Sequence, residues 1–456
     1  MSTQPPRALL ELAIESLMRN EVLAIEAVEY LPGELFPRVF MEAFIRGHTE
    51  VLKAMVLSWP FPSLPLGALM SIREPETLEP KEDVVRVNKM MLQTVLDGLD
   101  VLLNQKVSSS RMKLQVLDMR IIHQNFWRVW AGNELEACSS KAMRRTRREK
   151  TGTRETNKIL SVLLDLWLSQ EYQCPVASYL IKWVQERKDL VQLECKKLCI
   201  TTMCFPLYIE LLEMLNLDFV QELDLGYCWS LFILSDFAPF LGQMQNLHKI
   251  TLSGISEPAF IALEKKKLLI TRITSQFLKF HCLKEIHMDC VSFLEGHLDQ
   301  VLRCLVSPLE TLSVTHWQFS HSDWNHLSCS EQIRQLKQLD LSCINLSDFS
   351  PEPLRILLDN VSATLTTLYL ENCRITDAQV CAFLPSLSSC SQLTAFCFVR
   401  NFMSVDTMKN LLSHTARLSN LALELYSPPR EVHVPRNAPE KHTSTSFLAQ
   451  IAQKFR

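Results

Sequence analysis

His281, Cys282, His287 and Cys290 crowd into a short stretch, a set of nitrogen and sulfur donors of the kind a zinc site uses. Their spacing argues against it. Leu283, Ile286 and Met288 follow the pattern of a short strand, on which successive side chains point to opposite faces, so His287 and Met288 part company. His321 and His326 flank Trp324 without a carboxylate or thiol at ligand spacing and read as surface residues. Several Cys and His are available for nucleophilic catalysis, yet nothing pairs a particular Cys with a base and an orienting group. Glycine is scarce, 10 in 456 residues, and neither GxGxxG, nor a GxxxxGK phosphate loop, nor GxSxG, nor HExxH occurs. Nucleotide chemistry and serine hydrolysis lose support. The chain reads as non-enzymatic, with no cofactor and no metal expected.

The elements that would position those side chains follow one pattern. Leu-x-x-Leu-x-Leu hexads open at Val220, Leu247, Leu283, Leu309, Leu336, Leu365, Leu393 and Leu418, at steps of 25 to 36 residues. Their fourth and sixth positions are Leu223 and Leu225, Ile250 and Leu252, Ile286 and Met288, Leu312 and Val314, Leu339 and Leu341, Leu368 and Leu370, Phe396 and Phe398, and Leu421 and Leu423. Each hexad predicts a strand with its apolar residues turned inward. Between hexads, Leu298, Val301, Leu302 and Leu305 fall at i, i+3, i+4 and i+7, as do Leu354, Leu357, Leu358 and Val361, and Val380, Phe383, Leu384 and Leu387, so the linkers are helices. Ser350 with Pro351, and Asp377, mark helix starts. No such unit covers its own apolar face, so neighbours must stack. The fold class is α/β: a leucine-rich repeat solenoid, a horseshoe with an α-helical N-terminal cap and with strands on its concave side.

On that concave side the residue between the last two apolar positions runs Asp224, Thr251, His287, Ser313, Asp340, Tyr369, Cys397 and Ala422. The column mixes charge, hydroxyl, aromatic and apolar types. It fits a surface for a protein target, and equally a neutral solvent-facing sheet; a uniformly basic column would have suggested nucleic acid. Net charge is -3, with pI near 6.5, so no bulk attraction to nucleic acid or anionic lipid is expected. The longest apolar stretch, Trp229 to Leu241, is broken by Asp236 and is too short to span a bilayer. Fifteen cysteines, an odd number without CxxC pairs or a leading signal segment, read as reduced thiols of the cytosol or nucleus. Cys228 and Cys373 take the ninth position of their repeats, as Asn401 does later, where a polar side chain satisfies backbone groups at the turn.

Residues 1–60 read as a helical block. Leu9, Ala13 and Leu17 share a face, Val22 through Leu31 form a second helix closed by Pro32, and a third runs through Val39, Phe40 and Phe44. Residues 61–189 are irregular, with a long helix from about Asp83 to Leu103 and an isolated hexad at Leu114, Leu117 and Met119. Within them, residues 133–154 hold few large apolar groups and read as a disordered basic loop. Its Lys141 to Lys150 cluster is either a nuclear-import signal or a solvated insertion. The repeats occupy 190–426, counting a degenerate one at Leu190, Leu193 and Cys195; residues 427–456 form a polar tail.

Several segments together resemble the PRAME family, named for the preferentially expressed antigen of melanoma. They are Leu9-Leu10-Glu11-Leu12-Ala13, Leu31-Pro32-Gly33-Glu34-Leu35-Phe36-Pro37, Trp59-Pro60-Phe61, Phe126-Trp127-Arg128-Val129-Trp130, Pro308-Leu309-Glu310-Thr311-Leu312 and Ser350-Pro351-Glu352-Pro353-Leu354. The resemblance covers about residues 7 to 426 and looks strongest to rodent oogenesin-like and PRAME-like members. It implies a non-catalytic substrate receptor of a cullin-2 RING ubiquitin ligase, recruited through Elongin B and C. It also implies roles in transcriptional repression, proliferation, differentiation and apoptosis, and a cytoplasmic or nuclear location.

The family's adaptor helix has the form small residue-Leu-x-x-x-Cys-x-x-x-aliphatic; Ala8, Leu9, Ala13 and Leu17 match it, with Ala13 in place of Cys. Its cullin-type motif, apolar-Pro-x-x-apolar-x-x-x-apolar, is matched by Leu31, Pro32, Leu35 and Val39. Without the resemblance, the same helices read as a bare solenoid cap. A nuclear corepressor that binds a transcription factor on the concave face without any ligase is the alternative function. Past Ser427-Pro428-Pro429-Arg430 the chain departs from the family's ordered C-terminal extension.

Overall fold

The computed structural model describes residues 9–71, 82–104, 113–121, 126–130, 159–169, 175–201, 208–227 and 229–432. Ala8, Cys228, the basic loop 133–154 and residues 433–456 lie outside them. The chain forms two compact units. The first takes residues up to Leu166, then 171–196 and 210–216; the second takes 167–170, 197–209 and everything from Leu217 onward.

The first unit opens with four helices, α1 (Leu9–Met18), α2 (Glu21–Val28), α3 (Phe36–Arg46) and α4 (Thr49–Leu57). Asn20 separates α1 from α2 because its side chain accepts a bond from Leu23 N and caps the second helix. The second helix is shorter than its pattern suggests, and α4 is an element the periodicity did not announce. α3 ends where Gly47 takes a left-handed φ of 78°. Then come β1 (Ser63–Leu64), α5 (Leu66–Met70), α6 (Glu82–Asn104), β2 (Val116–Asp118), α7 (Phe126–Trp130), β3 (Leu160–Leu168), α8 (Pro175–Gln185), β4 (Val191–Ile200) and α9 (Ile209–Met214). Strands β1, β2 and β3 pair in parallel, Leu64 to Leu117 to Val162. Gly67 lies so close to β2 that a Cβ would sit 2.2 Å from the Met119 carbonyl. Phe36 and Phe40 of α3 meet Trp59, and Trp127 and Trp130 stack into the same cluster. The indoles find partners, Trp59 on Ser63 O at 3.1 Å and Trp127 on Pro65 O at 2.8 Å.

In the second unit the end of β4 is followed by β5 (Glu222–Leu225), α10 (Leu231–Leu241), β6 (Lys249–Ser253), α11 (Leu263–Thr274), β7 (Glu285–Asp289), α12 (Leu298–Arg303), β8 (Thr311–Thr315) and α13 (His321–Cys329). It continues with β9 (Gln338–Asp340), α14 (Glu352–Val361), β10 (Thr367–Tyr369), α15 (Asp377–Ser388), β11 (Ala395–Phe398), α16 (Val405–Thr415) and β12 (Leu423–Tyr426). The strands pair in parallel in chain order, and Leu223, Ile250, Ile286, Leu312, Leu339, Leu368 and Phe396 lie in one register. All three hexad positions of the first seven repeats are buried. This is the leucine-rich repeat architecture.

Two frames differ from the hexad reading. In the last repeat Phe396 pairs with Glu424 and Phe398 with Tyr426, so the hexad starts at Leu421 and its fourth and sixth positions are polar. Leu423 points outward and is 45% exposed. Leu425, not Ala422, then pairs with Cys397. A Leu every second or third residue made both frames plausible in sequence; burial and pairing choose one. Before the first repeat, Leu198 pairs with Leu223 and Ile200 with Leu225, so the degenerate hexad is Cys195, Leu198, Ile200 and not one starting at Leu190.

At the eighth position of every one of the seven repeats the backbone turns through positive φ: Tyr227, Gly254, Cys290, His316, Cys343, Asn372 and Arg400. Only one is glycine. Each L-residue there costs about 1–2 kcal/mol, a cost exceeded by burial of three hexad residues at roughly 1.5–3 kcal/mol each. One residue later, Asn401 is buried and accepts from Cys373 N at 3.1 Å and Ile375 N at 3.2 Å while donating to Leu370 O at 2.6 Å. Cys373 in turn donates its thiol to Leu341 O at 3.1 Å. Its ninth-position role is to tie one turn to the next.

Asn401→Ala is expected to lower the unfolding free energy by about 2–4 kcal/mol, because two buried N–H groups and a carbonyl lose their partner. Cys290→Gly, at an exposed left-handed position, is expected to raise it by about 1 kcal/mol. Urea midpoints at constant slope measure both, and an unchanged midpoint for Asn401→Ala would refute the ladder.

Candidate protein-binding surfaces

Strand pleating presents the fifth hexad position on the face opposite the buried fourth and sixth. Asp224, Thr251, His287, Ser313, Asp340 and Tyr369 form one continuous row across β5 to β10. All six are exposed or half-buried, and the row closes at Cys397, which is buried. Thr201 N donates to Leu168 O, the ladder step that sets Trp167 of β3 in line with Cys199 at the start of this row. Trp167 is 75% exposed. It lies in a strand whose Leu-rich run resembles no clean hexad, so periodicity gave no reason to single it out.

The row is held by hydrogen bonds between neighbouring strands. Ser313 Oγ donates across to Asp340 Oδ2 at 3.4 Å, and within the same repeat Ser342 N donates to Asp340 Oδ1 at 2.9 Å. Thr315 Oγ1 donates to Asp289 Oδ1 at 2.7 Å, with His316 Nδ1 at 2.8 Å from the same oxygen. Toward the strand starts, ion pairs cross the rungs: Lys197 with Glu222 at 2.9 Å, Lys249 with Glu285 at 3.6 Å, and Glu310 between Lys284 at 2.6 Å and Lys337 at 2.7 Å. Such exposed pairs are screened by water and contribute little, so they set the charge pattern of the face more than its stability.

Electrostatics leave the thiol that opens this row unactivated. Burial, then Asp224, pushes the Cys199 thiol up to about 11, which keeps it protonated near neutrality. Burial also raises Asp224. Burial, then Lys249, lowers His287, so its imidazole is neutral at pH 7; its Nε2 lies 3.6 Å from Glu285, beyond hydrogen-bond reach. Among the described residues no three His, Cys, Asp or Glu gather as a metal group, and no helix is long and apolar enough to cross a membrane.

The second surface is on the first two helices. Leu9 is 86% exposed, Leu12 and Ala13 are exposed and Leu17 is half-exposed, while Ile14 and Met18 turn inward. The adaptor-type residues Leu9, Ala13 and Leu17 therefore share the outer face of α1. Of the cullin-type residues, Pro32 is exposed and Leu31 and Leu35 are half-buried. Val39 departs from the sequence reading: it is 2% exposed and belongs to the core face of α3, so it anchors the helix and offers nothing to a partner. Sequence reasoning passed over Val22, Leu23 and Tyr30, which α2 and its end expose as well; the signal was a helix whose large apolar residues outnumber the room beneath it.

The PRAME N-terminal domain family matches residues 5–127 and the PRAME C-terminal domain family residues 160–456. Human PRAME family member 20 is 46% identical over 94% of this chain and 88% of its own length, and human PRAME family member 12 is 45% identical over 96% and 88%. Among solved structures, an internalin from Listeria monocytogenes is similar at 13% identity over 85% of this chain and 97% of that one, with a TM-score of 0.32.

On the sheet face, hydrogen bonds from Lys284 and Lys337 hold the Glu310 carboxyl down at about 2, against an ordinary value of 4.5. A carboxylate depressed in the fold contributes stability that is fully present above the unfolded value and is lost as pH falls through the folded one. The protein is therefore expected to lose stability between about pH 4.5 and 2 through this group. Glu310→Gln is expected to flatten that limb in urea titrations, and an identical acid limb in the variant would contradict the triad.

Proposed function

The chain belongs to the PRAME family, and from that premise we propose that it is a non-catalytic, protein-binding receptor of a cullin-2 RING ubiquitin ligase. The outer face of α1 docks Elongin C of the Elongin B/C pair, Leu31, Pro32 and Leu35 face cullin-2, and the sheet row from Asp224 to Tyr369 holds the protein to be ubiquitinated. Roles in transcription, proliferation, differentiation and apoptosis, in cytoplasm or nucleus, follow from which protein is removed.

One observation supports the docking half above the others: Leu9 stands outward on a helix where a core-covering role would turn it in. Large apolar groups left outside by a protein with ample core mark interaction sites. Support for the target-holding half is a rigid, hydrogen-bonded polar row on a sheet whose other face is packed. The family and the repeat fold support an interaction scaffold in either case.

Purified chain mixed with purified Elongin B/C is expected to bind, and Leu9→Ala to weaken binding by about tenfold, the effect of losing one buried anchor. Because Leu9 is exposed, the variant's thermal melt is expected to match the parent's. Absence of any complex, or full binding by Leu9→Ala together with Leu31→Ala, would overturn the ligase reading.

A further inference from the structure

An eight-residue helix that covers a core normally buries its large side chains. α2 does the reverse: Ala24 and Val28 turn inward, while Val22 (68% exposed), Leu23 and Ile25 turn outward, and Tyr30 just beyond its end is 84% exposed. With Leu9 and Leu12 of α1 this gathers six large exposed apolar side chains between residues 9 and 30. The same stretch is acidic. Between Leu9 and Leu35 stand Glu11, Glu15, Glu21, Glu26, Glu29 and Glu34 against Arg19; Glu11 pairs with Arg38 at 3.3 Å and Glu15 with Arg19 at 3.5 Å, so the acidic surplus is carried by α2 and the turn after it. On α2, Glu26 and Glu29 fall four and seven residues after Val22, and Glu21 and Glu29 four to either side of Ile25, so carboxylates share the outward face with the apolar side chains.

We propose that the docking face extends from α1 across α2 to Tyr30, and that its occupant is a helical protein surface carrying an apolar stripe with a Lys/Arg rim. The inference rests on the docking reading above in taking the outer face of α1 as one end of that surface. Charge selects the occupant. A second copy of this chain would set the acidic face against itself, and like-charge juxtaposition costs several kcal/mol. An anionic bilayer is repelled for the same reason. A basic-rimmed helix laid on this face buries Val22, Ile25 and Tyr30 while its cations meet the carboxylates, the helix-against-groove mode of recognition.

The test uses the full chain and a synthetic helical peptide of about 18 residues with leucines on one face flanked by lysines, beside a matched peptide with glutamate at every lysine. Fluorescence anisotropy is expected to show the lysine peptide binding at least about tenfold tighter at low ionic strength, with the preference shrinking near 1 M salt, where the Debye length is about 3 Å. Val22→Ser with Ile25→Ser is expected to weaken it by about tenfold; both residues are exposed, and an unchanged melt checks the fold. Glu26→Lys with Glu29→Lys is expected to invert the preference between the peptides. Equal binding of the two peptides, or indifference to the α2 substitutions, would overturn the proposal. Failure of the Elongin reading shows separately, because Leu9→Ala reports on α1 and the serine variants on α2.

Discussion

Parallel strands separated by about 4.8 Å can be stacked only if each one's inward side chains find the next one's, and nearly everything in the repeat unit serves that contact. The column Leu223, Ile250, Ile286, Leu312, Leu339, Leu368 and Phe396 is a continuous wall with no room for a polar residue. A repeat in isolation would leave half of that wall wet, so stability is a property of neighbours. The change at the last strand obeys the same constraint. Among the described residues β12 meets no further strand, and its inward positions become Glu424 and Tyr426, whose hydroxyl donates to that carboxylate at 2.8 Å.

Stacking imposes a second requirement at the turn that leaves each strand. Chain direction must reverse within a few residues, and the backbone groups freed there are buried beneath the following repeat. The eighth position answers the geometric need with a left-handed residue, the ninth the hydrogen-bonding need. Among the described residues of the earlier repeats the ninth position is filled by Ile255, Val291, Trp317 and Ile344, all buried, so packing takes precedence there. Toward the end Cys373 and Asn401 join the turns through side-chain bonds. A related device ties α13 to the repeat before it: the buried Asp323 carboxylate caps its own helix through Ser320 and also accepts from Gly296 N at 2.6 Å and Leu298 N at 3.0 Å.

The repeat core was legible in the sequence because a buried wall admits few residue types, and Leu at fixed spacing is its direct imprint. Where apolar residues were in excess, legibility failed. Leu421, Leu423 and Leu425 allow two strand frames that differ by which face is wet, and only pairing with Phe396 and Phe398 decides. Val39 illustrates the same ambiguity on a helix: a pattern of apolar residues cannot say whether a given one faces core or partner, and here Phe36, Phe40 and Phe44 draw that face inward. Trp167 lay hidden for the opposite reason, since a single aromatic on a wet face has no period. The row from Asp224 to Tyr369 was visible because it is the complement of the wall, positions left over once the leucines are placed.

Packing and recognition thus divide differently in the two units. In the repeats, the outward row is what packing leaves free, so its residues are spaced by the strands, held by neighbours such as Ser342 and Ser313 around Asp340, and chemically varied. At the N-terminus the surplus is apolar: α1 and α2 carry more large side chains than Ile14, Met18, Ala24 and Val28 need to close the core beneath them. A polar row can stand in water at little cost, whereas exposed Leu9, Val22 and Tyr30 cannot be explained by solubility or by stability. Set among the carboxylates of the same helix face, they make a mixed apolar and acidic surface, the kind that the proposed basic helical partner would cover.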